Sequence, residues 1–254
     1  MAKPLILVTN DDGIDSPGIY ALVHALKPLG EVIVVAPDRQ QSAVGHALTV
    51  SSPLRCTPFH RNGEMFGYAI DGTPSDCVKF AISTLLPDRP DIIVSGINHG
   101  ANTSINVLYS GTVSAATEGM LMGIRSMAVS LLSFSHEADM SVAAHFARLV
   151  AEKLPTLDLP DDTILNVNVP TIPMEEIKGI KITRQSISEW HDHYERRTDP
   201  MGHDYFWIKG TYITNDDRPD ADDVALKAGY VSITPIHYDL TNRKVMKELE
   251  EVRW

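Results

Sequence analysis

The sequence predicts an α/β fold of the Rossmann-like kind: a doubly wound, mostly parallel sheet with a C-terminal β-hairpin or arm and a C-terminal helix. Three observations predict it. Short β-branched runs alternate with segments of helical period through the first half of the chain. These runs are continuously apolar, so the strands they form are covered on both faces. After Pro170 the pattern changes, and the stretch 186–207 carries His191, His193, Arg196, Arg197, Pro200, Gly202 and His203 with little period.

The elements follow in order. Residues 5–9 read as a buried strand and 18–27 as a helix with Ile19, Leu22, Val23 and Leu26 on one face. Strands are predicted at 31–36, 91–95 and 127–131, and helices at 114–122 and 141–154. A further strand at 163–169 is closed by Pro170. Right-handed crossovers place the loops after the parallel strands on one edge of the sheet. Residues 209–214 and 230–235 read as a return to strand, and Arg218-Pro219 as the opening of a helix that runs to about Lys227 and ends at Gly229. In 243–252, Val245, Leu249 and Val252 share a stripe, which predicts an amphipathic helix packed on its own domain. The reading is one domain over 1–254: a core at 1–185 and 208–240, an arm at 186–207 and a terminal helix at 243–254.

The 254 residues carry 33 acidic and 22 basic side chains, a formal charge of -11. Such a surface repels nucleic-acid polymers and anionic membranes. An anionic substrate therefore needs a local reversal of sign, from a cation or from backbone N–H groups. Only Cys56 and Cys77 are present, which predicts reduced thiols. Met1-Ala2-Lys3-Pro4 runs straight into a strand, with no charged leader or long apolar run, and the expected address is the cytoplasm.

Four segments carry the chemistry. In Thr9-Asn10-Asp11-Asp12-Gly13, two adjacent carboxylates sit where the first strand ends, and Gly13 lets the chain bend so that both can address one cation. The ordinary alternative is a solvated turn capped by Asp15 or Ser16. Residues 37–46 follow the second strand and offer the neutral oxygen of Ser42. Residues 95–102 place Asn98 between Gly96 and Gly100. Tyr109-Ser110-Gly111-Thr112 leads into an alanine-rich helix whose free N–H groups suit an anion. Each segment alone is explained by turn or capping chemistry. Together they put carboxylates, a hydroxyl, an amide and an anion-binding helix start on one edge. The donors are all oxygens, which favours a hard cation such as Mg²⁺ or Mn²⁺ over zinc. A cation beside a phosphate site points to phosphoryl transfer.

Thr214-Asn215-Asp216-Asp217 repeats the letters of the first motif without the glycine, and reads as a cap and loop. His191, His193 and His203 read as surface residues of the arm. His46 and His99 are candidates for orienting a substrate or protonating a leaving group. Residues 71–76 read as a turn and N-cap for a helix at 77–86. Neither a Gly-x-Gly-x-x-Gly dinucleotide fingerprint nor a Gly-x-Ser-x-Gly elbow is present, which argues against a dehydrogenase and a serine hydrolase.

The segments LVTNDDGIDSPGI, APDRQQSAVGHALT, DGTPSDCVKFA, PDIIVSGINHGANTS and YSGTVSAATEGM resemble the SurE family of stationary-phase survival nucleotidases. The likeness runs from about Leu5 to Ile124 and resumes at Leu165-Asn166-Val167-Asn168-Val169-Pro170 and at 229–235. It implies a phosphomonoesterase acting on nucleoside 5′- and 3′-monophosphates, with one divalent metal ion (Mg²⁺ or Mn²⁺) per subunit and a homodimeric or homotetrameric assembly. It implies metal ligands at Asp11, Asp12, Ser42 and Asn98, of which Asp11 and Asp12 are also the catalytic candidates. The phosphate site it implies is Asn98, Ser110, Gly111 and Thr112, and the arm is expected to exchange between subunits. Water attacking in line is the expected chemistry, with an aspartyl-phosphate on Asp11 as the alternative. A non-catalytic nucleotide or phosphate sensor would use the same pocket without turnover.

Overall fold

The computed structural model describes residues 3–135 and 137–254. Met1 and Ala2, on which the reading of the N-terminus partly rests, lie outside the described residues. The chain folds as β1 (Leu5–Thr9), α1 (Pro17–Leu26), β2 (Glu31–Pro37), β3 (Cys56–Arg61), β4 (Glu64–Ile70), α2 (Pro74–Phe80), β5 (Ile92–His99), α3 (Gly111–Leu121), β6 (Arg125–Leu131), α4 (Ser141–Lys153) and β7 (Thr163–Val169). It continues as β8 (Ile180–Ile182), β9 (Ser188–Thr198), β10 (Asp204–Thr214), α5 (Asp222–Lys227), β11 (Val231–His237) and α6 (Arg243–Glu250).

One nine-stranded sheet has the order β3-β4-β2-β1-β5-β6-β7-β11-β8. Strands β4, β2, β1, β5, β6 and β7 are mutually parallel, while β3 and β11 run antiparallel to their neighbours β4 and β7. The order reverses at β1, which pairs with β2 on one side and β5 on the other. The crevice outside the carboxyl ends of β1 and β5 is therefore the switch point, where wound sheets bind ligands.

The period of two along β1 sorts its side chains between two cores. Ile6 and Val8 pack with Ile19, Leu22 and Leu26 of α1 and Phe146 and Val150 of α4. Leu7 faces the other way, with Val35, Ile70, Ile93, Cys77 and Val78 of α2, and Ala115 of α3. Both layers are apolar, and β1 is packed between them. Cys77 is buried and Cys56 half-buried, and both are free thiols.

Four details differ from the sequence reading. A hairpin, β3–β4, occupies the span between β2 and α2. It turns at Asn62-Gly63, both at positive φ, the conformation that Asn-Gly adopts in tight hairpins. The arm is longer than expected: residues 209–214 belong to β10 and pair with β9 from Thr214↔Ser188 to Lys209↔His193, so they are arm and not core. The next helix begins at Asp222 rather than at Arg218-Pro219. The terminal helix α6 does not pack on its own domain; it buries no residue, and Val245 and Leu249 stay 40% and 44% exposed.

The root of the arm is fixed by polar groups. The buried carboxylate of Asp216 accepts from Arg184 at 2.6 and 3.1 Å and from Arg218 at 2.9 and 3.0 Å, two planar forks on one acceptor pair. Arg218 first and Arg184 second hold its carboxyl well below the usual carboxylate range. Stabilisation from this depressed group is complete above the unfolded-chain value of about 3.9 and is withdrawn as pH falls below it. Wild-type protein should therefore lose thermal stability on acidification below about pH 4, and Asp216→Asn should be less stable at neutral pH with a flatter acid dependence. Circular-dichroism melts of the two proteins from neutral to acid pH check this.

Candidate active site

The site begins with how Asn10 shapes the turn after β1. Its buried amide donates to the Gly13 carbonyl at 3.0 Å and to Ser16 Oγ at 2.8 Å. Ser16 is the N-cap of α1, and Gly13 adopts φ 96°, a conformation that disfavours any side chain. The turn is thus tied at both ends, and Asp11 and Asp12 leave it in different directions.

Asp11 is buried and points at the first turn of α3. Thr112 donates to it twice, from Oγ1 to Oδ1 at 2.5 Å and from its backbone N–H to Oδ2 at 3.1 Å. The carboxylate sits on the positive end of that helix. Gly111 makes the approach possible: a Cβ there would lie 2.8 Å from Asp11 Cβ and 3.1 Å from Oδ2. Burial pushes the Asp11 carboxyl up to about 6, against the Thr112 hydrogen bond and with added repulsion from Asp12.

A cavity of about 250 Å³ opens at this point, lined by Asp11, Ser42, Asn98 and Ser110, with Asn102, Tyr109 and Trp190 among its other walls. Asp12 does not line it. Asp12 faces a neighbouring cleft with Asp15, Asp38 and Gln40, and His99 is common to both spaces. His99 donates its backbone N–H to Asp12 Oδ2 at 3.1 Å, and its ring Nδ1 lies 3.2 Å from the same oxygen. Among the described residues, no three His, Cys, Asp or Glu side chains converge as a metal cluster. The donor set at this rim is two carboxylates with hydroxyl and amide oxygens, a chemistry that fits a hard cation and not a thiolate-seeking one.

The predicted phosphate residues divide. Ser110 lines the cavity and caps α3, its Oγ accepting from the Val113 N–H at 3.1 Å. Asn98 lines it after a bulge between Ser95 and Asn98 in the pairing of β5 with β6, and its amide donates to the Gly100 carbonyl at 2.7 Å. Thr112 is fully buried with both donors on Asp11, so here it orients the carboxylate. His46 is absent from the cavity wall; its ring Nε2 lies 2.8 Å from Glu118 Oε2. The 71–76 segment is a capping box, Thr73 with Asp76, and Asp76 also accepts from Thr49 Oγ1 at 2.6 Å.

Three asparagines that the sequence reading gave no role in the site belong to its support. Asn166 and Asn168 lie two apart on β7, face the same side, and donate to the Asn102 carbonyl at 2.7 and 3.3 Å. Asn168 Oδ1 accepts from the Asn102 N–H at 2.8 Å, and the Asn102 amide donates to Ser130 Oγ at 2.9 Å. The cavity floor is therefore bolted to β6 and β7. The signal was present: two amides alternating inside an otherwise apolar strand. Trp190, at the arm's root, donates to Asn106 Oδ1 at 2.9 Å and brings the arm to the cavity wall.

Fold and cavity together define a class: a Rossmann-like α/β protein with an oxygen-lined cavity at the switch point of its sheet. The family described as Survival protein SurE matches residues 6–192, and the chain belongs to that family. It is 47% identical over 251 residues to the 5′-nucleotidase SurE of Chlorobium phaeobacteroides, covering 99% of this chain and 97% of the relative. It is 49% identical over 244 residues to the 5′-nucleotidase SurE of Syntrophobacter fumaroxidans, covering 96% and 97%. The crystal structure of the SurE protein from Aquifex aeolicus superposes with a TM-score of 0.83 at 42% identity, over 97% of this chain and 98% of that one. No helix among the described residues is long and apolar enough to cross a membrane.

Thr112→Val keeps the shape of the side chain and removes the hydroxyl that Asp11 accepts from. It should destabilise the protein by about 1–3 kcal/mol through the buried oxygen left without its donor. Denaturant unfolding at neutral pH measures this, and an unchanged midpoint and slope would show that the bond carries no weight.

Proposed function

We propose that this protein is a metal-dependent phosphomonoesterase that hydrolyses nucleoside 5′- and 3′-monophosphates to nucleoside and phosphate. The observation that carries the reading is the buried Asp11 carboxylate beside Asp12, at one cavity with Ser42, Asn98 and Ser110. The 5′-nucleotidase names of relatives 47% and 49% identical over nearly the whole chain support the substrate class.

Asp11, Asp12, Ser42 and Asn98 would hold one Mg²⁺ or Mn²⁺ ion. When bound, such an ion offsets phosphate charge and lowers the pKa of water. The chain's own groups do the rest. The Ser110 hydroxyl, the Gly111 N–H and the Asn98 amide hold the outer phosphate oxygens at the start of α3. Thr112 keeps Asp11 in one rotamer, so that its carboxylate is aimed before substrate arrives. Asp11 orients the attacking water or takes its proton; direct attack by Asp11 on phosphorus is the competing route. His99 buttresses Asp12.

The surface supports a homodimer or homotetramer. The arm exposes Tyr194, Phe206, Trp207 and Ile208, each more than half exposed, and α6 leaves its apolar stripe open. A cytoplasmic address fits two free thiols.

Asp11→Asn should lower Mn²⁺-dependent phosphate release from AMP on the order of 10²–10⁴-fold, with the fold intact by circular dichroism. Full activity in that variant would refute the assignment, and wild-type protein stabilised by AMP without turnover would favour a sensor. Acid quench with labelled AMP separates the two routes, because only the aspartyl-phosphate leaves label on the chain. Sedimentation velocity should give a mass well above the 28.0 kDa of one chain; a monomer at micromolar concentration would overturn the assembly.

A further inference from the structure

The segment between β2 and β3 carries Ser42 and has no regular secondary structure between residues 38 and 55. Ala43, beside Ser42, adopts φ 55°, and Gly45 φ 59°. A left-handed alanine persists only where its surroundings over-determine it. The Gln41 N–H donates to the Asp11 carbonyl at 2.7 Å, and the Gly45 N–H to the Tyr109 carbonyl at 3.0 Å. Thr73 Oγ1 donates to the Ala47 carbonyl at 2.7 Å, and the Thr49 N–H to Asp76 Oδ1 at 3.0 Å.

At the centre of these tethers stands a group that the proposed reaction does not use. Glu118 lies two turns along α3 from Ser110 and is 3% exposed. Its Oε2 lies 2.8 Å from His46 Nε2, and its Oε1 accepts from Lys79 Nζ of α2 at 2.5 Å. His46 first, and Lys79 after it, hold the Glu118 carboxyl below the usual range, so it is ionised near neutrality. A buried charge is costly unless its partners are fixed. Here they fix three segments to one another: the Ser42 loop, α2, and the helix whose first turn holds Asp11.

We propose that Glu118 and His46 form a clamp that positions Ser42, fastening its loop to α3 so that the hydroxyl and the Asp11–Thr112 pair keep one spacing. The inference rests on the phosphomonoesterase reading and adds to it two positioning residues outside the cavity. The clamp acts through Ser42, so it makes a prediction that general destabilisation does not. His46→Ala, at a half-exposed residue, should lower kcat/KM for AMP with Mn²⁺ about tenfold, a size ordinary for groups that orient a ligand. In a Ser42→Ala background the same change should cost nothing further, whereas independent effects multiply. His46→Gln, which can still reach Glu118, should recover most of the loss. Glu118→Gln should follow His46→Ala if it folds, and the His46 series decides the matter if it does not.

Hydrogen exchange on metal-free protein gives a reading that needs no activity. Amides of residues 42–47 should exchange at least about tenfold faster in His46→Ala, while those of β1 and β5 stay protected. Losses that multiply between Ser42→Ala and His46→Ala, or unchanged exchange in the loop, overturn the clamp. If Asp11→Asn keeps full activity, the phosphomonoesterase reading falls instead, and the exchange experiment still tests the clamp.

Discussion

The pairing of Asp11 with Thr112 is the contact on which the site depends. It joins the end of β1 to the start of α3, two segments 101 residues apart in sequence, across the point where the strand order reverses. A buried carboxylate resists ionisation, and burial dominates here, lifting the group to about 6. The helix start and the Thr112 hydroxyl oppose that cost without cancelling it. The carboxylate therefore keeps a residual electrostatic cost in its folded setting. Two apolar layers make that cost sustainable. Strand β1 is packed on both faces, so the turn that carries Asp11 leaves a fixed base.

Much of this was legible in the order of residues. Apolar β-branched runs at β1, β2, β5, β6 and β7 announced a wound sheet because a strand covered on both faces leaves no polar alternation to confuse it. Placing the loops after β1, β2 and β5 on one edge followed from handedness alone. That brought Asp11, Ser42, Asn98 and Ser110 together before any coordinates. The roles within the cluster were harder. Nothing in Gly111-Thr112 says that the threonine turns inward to a carboxylate; that depends on the distance between β1 and α3, which only packing sets. Asp12 likewise borders a second cleft because adjacent residues diverge.

The misses have physical causes. In hairpin β3–β4 the outer strand β3 (CTPFHR) is largely exposed and polar and gave no apolar run, whereas β4 (EMFGYAI) carried one and Asn62-Gly63 marked the turn before it; both signals were passed over. Residues 209–214 looked like a core strand because Tyr212 and Ile213 are apolar; their neighbours across the ladder are arm residues. Glu118 was hidden for the opposite reason. On an alanine-rich helix a lone glutamate reads as a solvated charge, and only the approach of His46 from a remote loop shows otherwise.

The arm has a mechanical implication. Eleven residues in each strand make a ribbon roughly 35 Å long, joined to the globule at its root by contacts that include Ser188, Trp190, Tyr212 and the Asp216 cluster. A two-stranded ribbon of that kind is barely stable in water by itself. A bulky label at its tip would alter the ribbon long before it touched the sheet. Because Trp190 also stands in the cavity wall, a disturbance far out along the lever has a short route back to the pocket.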